Sequence, residues 1–197
     1  MIKKQFEDYL AAAQIIQEPF FEKKIETAVR IVGKSLRGGH KVLIAGNGGS
    51  AADAQHFAAE LVGRYKHERA GYAAFALTTD TSILTAWSND KDFKDVFARE
   101  VEALGQAGDV LIGISTSGNS ENIIRALKRA KEHGLKTVAL LGNAGGRTKG
   151  IADADIIVAS NDTPRIQEVQ MFVLHVIAEE VEAMLSSRTG SRRIISR

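Results

Sequence analysis

Five short, uniformly apolar runs, each separated from the next by intervening chain, constrain this sequence more than anything else in it. They are Lys41–Ala45, Ala73–Leu77, Asp109–Ile114, Lys136–Leu141 and Asp155–Ala159. Strands that show no polar alternation are buried on both faces, as in a parallel sheet with helices above and below it. Helical segments read over Ala51–Arg64, Thr81–Ser88, Phe93–Leu104 and Ser120–His133. Two N-terminal helices come first, parted near Glu18-Pro19. The second carries Phe20, Phe21, Ile25, Ala28, Val29 and Val32 at helical spacing and stops at Gly38-Gly39. The last helix opens at Thr163-Pro164, an N-cap followed by a first-turn proline. From Met171 to Ala178 it is apolar at almost every position, with His175 inside the run. A helix apolar all round is expected to be buried on every side, and in so small a domain that means packing against another subunit. The expected class is therefore α/β: three layers, a five-stranded parallel sheet flanked by helices, with N-terminal helices and a long buried C-terminal helix.

Length and charge narrow the partners. The 197 residues suit one domain, large enough to bury roughly 70% of its unfolded surface. We read 1–187 as that domain, with 1–38 its N-terminal helices, and 188–197 as a basic, solvated and mobile tail. The formal charge of +2 comes from that tail: Arg188, Arg192, Arg193 and Arg197 leave a body of about −2 when set aside. No basic surface calls for nucleic acid. There is no cysteine, no run of the ~20 apolar residues that a membrane span needs, and acids stand near the start where a signal peptide needs an apolar stretch. The expectation is a cytoplasmic protein.

Two loops follow apolar strands and open helices: Gly46-Asn47-Gly48-Gly49-Ser50 and Ser115-Thr116-Ser117-Gly118-Asn119-Ser120. In an open α/β sheet ligands bind beyond the carboxyl ends of the strands. A helix N-terminus offers unpaired N–H groups and partial positive charge to an anion, and the second loop adds short hydroxyl donors. Together they predict a site for a phosphorylated small molecule. Gly46-Asn47-Gly48-Gly49-Ser50-Ala51 also fits the dinucleotide pattern G-x-G-x-x-A, which wants an acid about 20 residues on. The nearest candidate, Asp80, comes 34 residues after Gly46, so no nucleotide cofactor is expected.

His56 and Glu60, four apart, share a helix face and serve a metal, an acid/base step or a plain hydrogen bond. Ser50-x-x-Asp53 has the spacing of a capping box. Taken singly, His175 reads as a core histidine, Gln167 as a surface amide, Asn89-Asp90 as a turn closure at a helix end and Asp80 as a cap.

Taken together the stretches 45–61, Asn89-Asp90, 113–120 and Asp162-Thr163-Pro164-Arg165-Ile166-Gln167-Glu168 resemble the phosphoheptose isomerases of the sugar isomerase (SIS) domain superfamily, from about Lys41 to Glu182. The resemblance implies a flavodoxin-like SIS fold and isomerisation of sedoheptulose 7-phosphate to D-glycero-D-manno-heptose 7-phosphate. That is the first step toward the ADP- or GDP-heptose of lipopolysaccharide core or related glycans. It implies a homotetramer with active sites at subunit interfaces and zinc, one per subunit. By position it implies Ser115, Thr116, Ser117 and Ser120 on the phosphate; Asn47, Gly48, Gly49, Ser50, Asn89, Asp90 and Gln167 with Glu60 around the substrate; Glu60 and His175 as catalytic base and acid/base partner; and His56, Glu60, Gln167 and His175 as zinc ligands. Relatives that have lost catalysis bind a replication initiator instead, but carry other residues at the positions of Glu60 and His175. An isomerase of another sugar phosphate is the remaining alternative. Two positions depart from the family pattern: Gln170, where histidine is common, and Trp87, bulky enough to narrow the sugar pocket.

The chemistry suits these residues. Aldose–ketose isomerisation passes through an enediol(ate) and needs a base at carbon and a partner for the oxygens. A Glu in water titrates near 4.3, so a base at pH 7 wants burial, and a His near 6.5 suits the other transfer. Gln167 and His175 stand eight residues apart, about 12 Å along a helix, which predicts that one of them, His175 in preference, joins a neighbour's Glu60.

Overall fold

The computed structural model describes residues 1–186; the basic tail expected at 188–197 lies outside the described residues. The chain runs α1 (Ile2–Ala13), a 3-10 turn (Gln14–Gln17), α2 (Pro19–Arg37), β1 (Val42–Ala45), α3 (Gly49–Val62), β2 (Ala74–Ala76) and α4 (Thr81–Asp90). A second 3-10 turn (Phe93–Asp95) leads into α5 (Val96–Leu104), β3 (Val110–Ser115), α6 (Glu121–Glu132) and β4 (Lys136–Gly142). A third turn (Gly146–Thr148), β5 (Ala154–Val158) and α7 (Thr163–Ser186) complete it.

The five strands form one sheet in the order β2-β1-β3-β4-β5, every pair parallel, with Ala45 opposite Gly113 and Gly113 opposite Ala139. Successive strand side chains point to opposite faces, and here each face has its own helices. Val42, Ile44, Val110, Ile112 and Ile114 pack with α2, α3 and α7, whereas Leu43, Leu111, Ala139 and Leu141 pack with α5 and α6. That double burial is why the strand sequences lack alternation. The chain leaves β1 toward one layer and β3 toward the other, so the loops after these adjacent strands flank the crevice where such sheets bind ligands.

Several local expectations need correction. The run 171–178 is expected to complete its burial against another subunit, and within one chain Val173, Leu174, Ile177 and Ala178 are buried while Phe172 is 42% exposed and Met171 and Val176 are partly buried. Phe172 and Val176 line an open groove of about 1000 Å³ with Ile16, Ile25, Val29 and Met184. Phe20 is exposed, since Phe21, Ile25, Ala28 and Val32 define the inward stripe of α2. The segment Phe93–Leu104 is a 3-10 turn followed by a shorter helix. Thr163 is already helical, and the Asp162 carbonyl accepts the first bond, from Ile166 N at 2.9 Å. Asp80 does cap α4, its side chain accepting from Ile83 N. Beside it on α5, Glu100 is buried without a partner for Oε2; burial, seconded by the Asp80 charge, pushes its carboxyl up to about 8. Among the described residues no helix is long and apolar enough to cross a membrane.

Candidate functional site

The two Gly/Ser loops meet at the carboxyl ends of β1 and β3. Gly48, with φ +57°, occupies the cap position of α3, and no side chain caps that helix. The expected Ser50–Asp53 capping box is therefore absent: α3 starts at Gly49, so Ser50 lies one position inside the helix. Asn47 is held by a reciprocal amide pair with Asn122 of α6, at 3.0 and 2.8 Å. Sequence reading missed Asn122; an amide in the first turn of α6, 4% exposed among core positions, was its only signal. It ties one loop to the helix that follows the other.

The second loop is braced from within and behind. Ser115 Oγ donates to Ser120 Oγ at 3.0 Å, and Asn119 N donates to Ser117 Oγ at 3.1 Å. Asn143 Nδ2 donates to Thr116 O, and Thr148 donates through both N and Oγ1 to Gly118 O, at 2.9 and 2.7 Å. Gly118 has φ +65°, and a Cβ there would meet Gly145 O at 2.2 Å. Both the backbone conformation and the crossing of two loops exclude a side chain at this point. Ser120 sits at the N-cap of α6 without capping it by side chain.

A furrow between α3 and α7 holds the titratable groups. His56 Nε2 lies 3.1 Å from Glu60 Oε1 and 3.2 Å from His175 Nε2. The candidate ligand atoms of these three residues all fall within 4.8 Å of one another, in a single chain. The expectation that His175 reaches a neighbour's Glu60 is thus corrected. Helices α3 and α7 lie side by side in the same direction. Gln167 packs on Gly49, where a Cβ would stand 2.3 Å from its Nε2, and about two turns further along both helices His175 meets His56. Gln167 is accordingly not brought to the His56–Glu60–His175 group. It lines a neighbouring cavity of about 720 Å³ with Asp53, Arg165 and Tyr9. Burial pushes the Asp53 carboxyl up to about 6, against the opposing pull of His56.

Asn89 and Asp90 end α4, exposed, Asn89 Nδ2 donating to Asp90 Oδ1 at 2.9 Å. Among the described residues no hydrogen bond or ion pair joins them to the loops or to the histidine pair. Trp87 is partly buried against the α5–α6 core, with the Arg99 guanidinium 5.0 Å from its ring centre.

The donor set suits a metal ion. Two imidazole nitrogens and a carboxylate oxygen are zinc-type ligands, and donors bound tetrahedrally at about 2.0–2.1 Å stand roughly 3.3 Å apart. The observed 3.1 and 3.2 Å fall close to that separation.

A parallel sheet between two helix layers, with Gly/Ser loops where the strand order reverses, is the architecture of an SIS domain; residues 8–142 match the SIS domain family, to which the chain belongs. Among curated relatives it is 48% identical over 188 residues to the phosphoheptose isomerase of Helicobacter pylori (strain Shi470), covering 95% of this chain and 97% of that one. It is 57% identical over 161 residues to that of Geobacter sp. (strain M21), covering 82% and 84%. Among solved structures, phosphoheptose isomerase GmhA from Neisseria gonorrhoeae superposes with TM-score 0.84 at 42% identity, covering 90% of this chain and 96% of the other. That of Francisella tularensis superposes with TM-score 0.88 at 34% identity, covering 92% and 96%. The chain belongs to the phosphoheptose isomerases, a family of aldose–ketose isomerases.

Proposed function

We propose that this enzyme converts sedoheptulose 7-phosphate to D-glycero-D-manno-heptose 7-phosphate in the cytoplasm, feeding activated-heptose synthesis for lipopolysaccharide core or related glycans. The convergence of His56 and Glu60, on the helix that the first Gly/Ser loop opens, with His175 of α7 carries this reading. Ser115, Thr116, Ser117 and Ser120, with the free amides opening α6, bind the phosphate, which brings about −1.5 to −2 charges at pH 7. Asn47, Gly48, Gly49 and Ser50 line the sugar, and Asn89 and Asp90, not linked to these loops within one chain, are assigned to it across a subunit interface. Gripping the phosphate far from the reacting carbons orients them without chemistry of its own.

Glu60 removes a proton from C1 of the open ketose while His175 protonates O2, giving the enediol. Return of a proton to C2 and loss of the O1 proton leave the aldehyde at C1, with no net oxidation. His56, Glu60 and His175 would hold zinc, and Gln167 of a neighbouring copy is assigned as the further ligand, since within one chain it stands about 12 Å along the helix from His175. Zinc supplies Lewis-acid polarisation of substrate oxygens when bound. A coordinating carboxylate is a weaker base, so the two duties of Glu60 compete.

A homotetramer with interfacial sites is supported by α4, none of whose residues is buried, and by the apolar groove between α2 and α7. The test is an NMR time course of sedoheptulose 7-phosphate with wild type and Glu60→Gln, alongside C6 ketose phosphates. Turnover confined to the C7 substrate, abolished in an intact Glu60→Gln assembly, is expected. Undiminished turnover by that variant refutes the assignment.

A further inference from the structure

Residues 63–73 connect α3 to β2 without regular structure, yet one buried carboxylate organises them. Glu182 of α7 is 1% exposed and accepts from three successive amides, Tyr65 N at 3.2 Å, Lys66 N at 2.8 Å and His67 N at 3.0 Å. It accepts a fourth bond from Arg69 Nε at 2.8 Å. Burial alone would raise this carboxyl; the amides and the guanidinium outweigh it and hold the group below the ordinary glutamate range. The same Arg69 donates to the carbonyls of Glu60 at 2.8 Å and Leu61 at 2.9 Å, and its guanidinium lies 3.9 Å from the Tyr72 ring centre. One ion pair thus fastens α7, the last turn of α3 and the connection between them.

What this fastening presents is an aromatic ring. Tyr65 stacks on His175, centroids 5.7 Å apart and planes 29° apart, and the same imidazole meets His56 in a tilted contact, 5.1 Å between ring centres and 60° between planes. Lys66, paired with Glu179 at 2.7 Å, stands 5.7 Å from the Tyr65 ring centre. A part-buried histidine on a helix surface has several staggered orientations open to it; contact with the Tyr65 ring favours the observed one, in which Nε2 stands 3.2 Å from His56 Nε2. Aromatic pairs of this kind give roughly a two- to twelvefold preference.

We infer that Tyr65, held by the Glu182–Arg69 pair, is a positioning residue that fixes the His175 imidazole for metal binding and proton transfer. The inference rests on the proposed role of His175. The sequence gives no hint of it, because Tyr65 and His175 are 110 residues apart and neither motif mentions the other.

The test compares full-length Tyr65→Leu, Tyr65→Phe and His175→Gln with wild type. Zinc affinity is measured by competition with a chromophoric chelator, and kcat and KM on sedoheptulose 7-phosphate. Leucine keeps apolar bulk but no stack; phenylalanine keeps the ring. Tyr65→Leu is expected to weaken zinc binding and lower kcat, each by roughly three- to tenfold, with KM within about twofold of wild type and Tyr65→Phe close to wild type. A smaller loss in Tyr65→Leu, or an equal loss in Tyr65→Phe, overturns the inference. If His175→Gln keeps full zinc affinity and turnover, the reading of the site itself fails and takes the inference with it. If His175→Gln is crippled and Tyr65→Leu is not, Tyr65 alone is dismissed.

Discussion

Replacing Glu100 by glutamine should change how the stability of this enzyme responds to pH, by an amount that follows from burial. Glu100 is 4% exposed, and its carboxyl is pushed from 4.5 to about 8 by burial first and by Asp80 second. In the unfolded chain the group ionises above pH 4.5, whereas in the folded chain it keeps its proton until about pH 8. The folded state therefore binds more protons between those values, and its stability falls as pH rises through that window. Each pKa unit is worth about 1.4 kcal/mol. Between pH 5 and pH 7.5 the wild type should lose about 3 kcal/mol relative to Glu100→Gln, which has nothing to titrate at this position. Urea unfolding at fixed protein concentration, at several pH values across that interval, measures the difference; other titrating groups cancel between the two proteins. Any constant cost of the buried amide shifts the whole curve without tilting it. If the two stability curves run parallel, Glu100 is ionised in the folded protein and the argument fails.

Three other outcomes are expected. Gly118→Ala forces a Cβ against Gly145 O at a φ of +65°, so it should cost about 1–3 kcal/mol in denaturant unfolding and raise KM through the deformed phosphate loop. An unchanged KM would show that the loop does not meet the phosphate. Arg69→Met leaves Glu182 buried without its cation and should destabilise by about 3–5 kcal/mol, read as a shift in the urea midpoint; a shift under about 1 kcal/mol contradicts the clamp. Removing zinc with a chelator should lower turnover and the thermal midpoint by calorimetry, and zinc added back at about 100 times its dissociation constant should restore about 2.7 kcal/mol. A chelated sample that melts and turns over like the original speaks against a resident ion.

The sheet was legible because its physics is local. Val42–Ala45 and Val110–Ser115 are apolar at nearly every position for one reason, burial on two faces, and that pattern survives in the bare sequence. The anion loops were legible because glycine and serine at a strand–helix junction have few other uses. Asn122 was missed because its partner, Asn47, is 75 residues away, and nothing near it records the pairing. The Glu182–Arg69 pair spans 113 residues and looked like two ordinary helix and loop charges. The placement of His175 went wrong for a geometric reason. Distance along α7 was counted correctly, but the matching advance of α3 alongside it, from Gly49 to His56, belongs to tertiary packing and appears in no single segment.

The brace behind Gly118 bears on how the substrate arrives. Thr148 and Asn143 secure the hydroxyl-bearing turn from the next strand's connection, so that turn owes its shape to folding and not to its guest. Under the proposed function, an incoming phosphate would meet amides and hydroxyls already aimed and would lose little to reordering the protein, which leaves adjustment to the groups that α3 and α7 present.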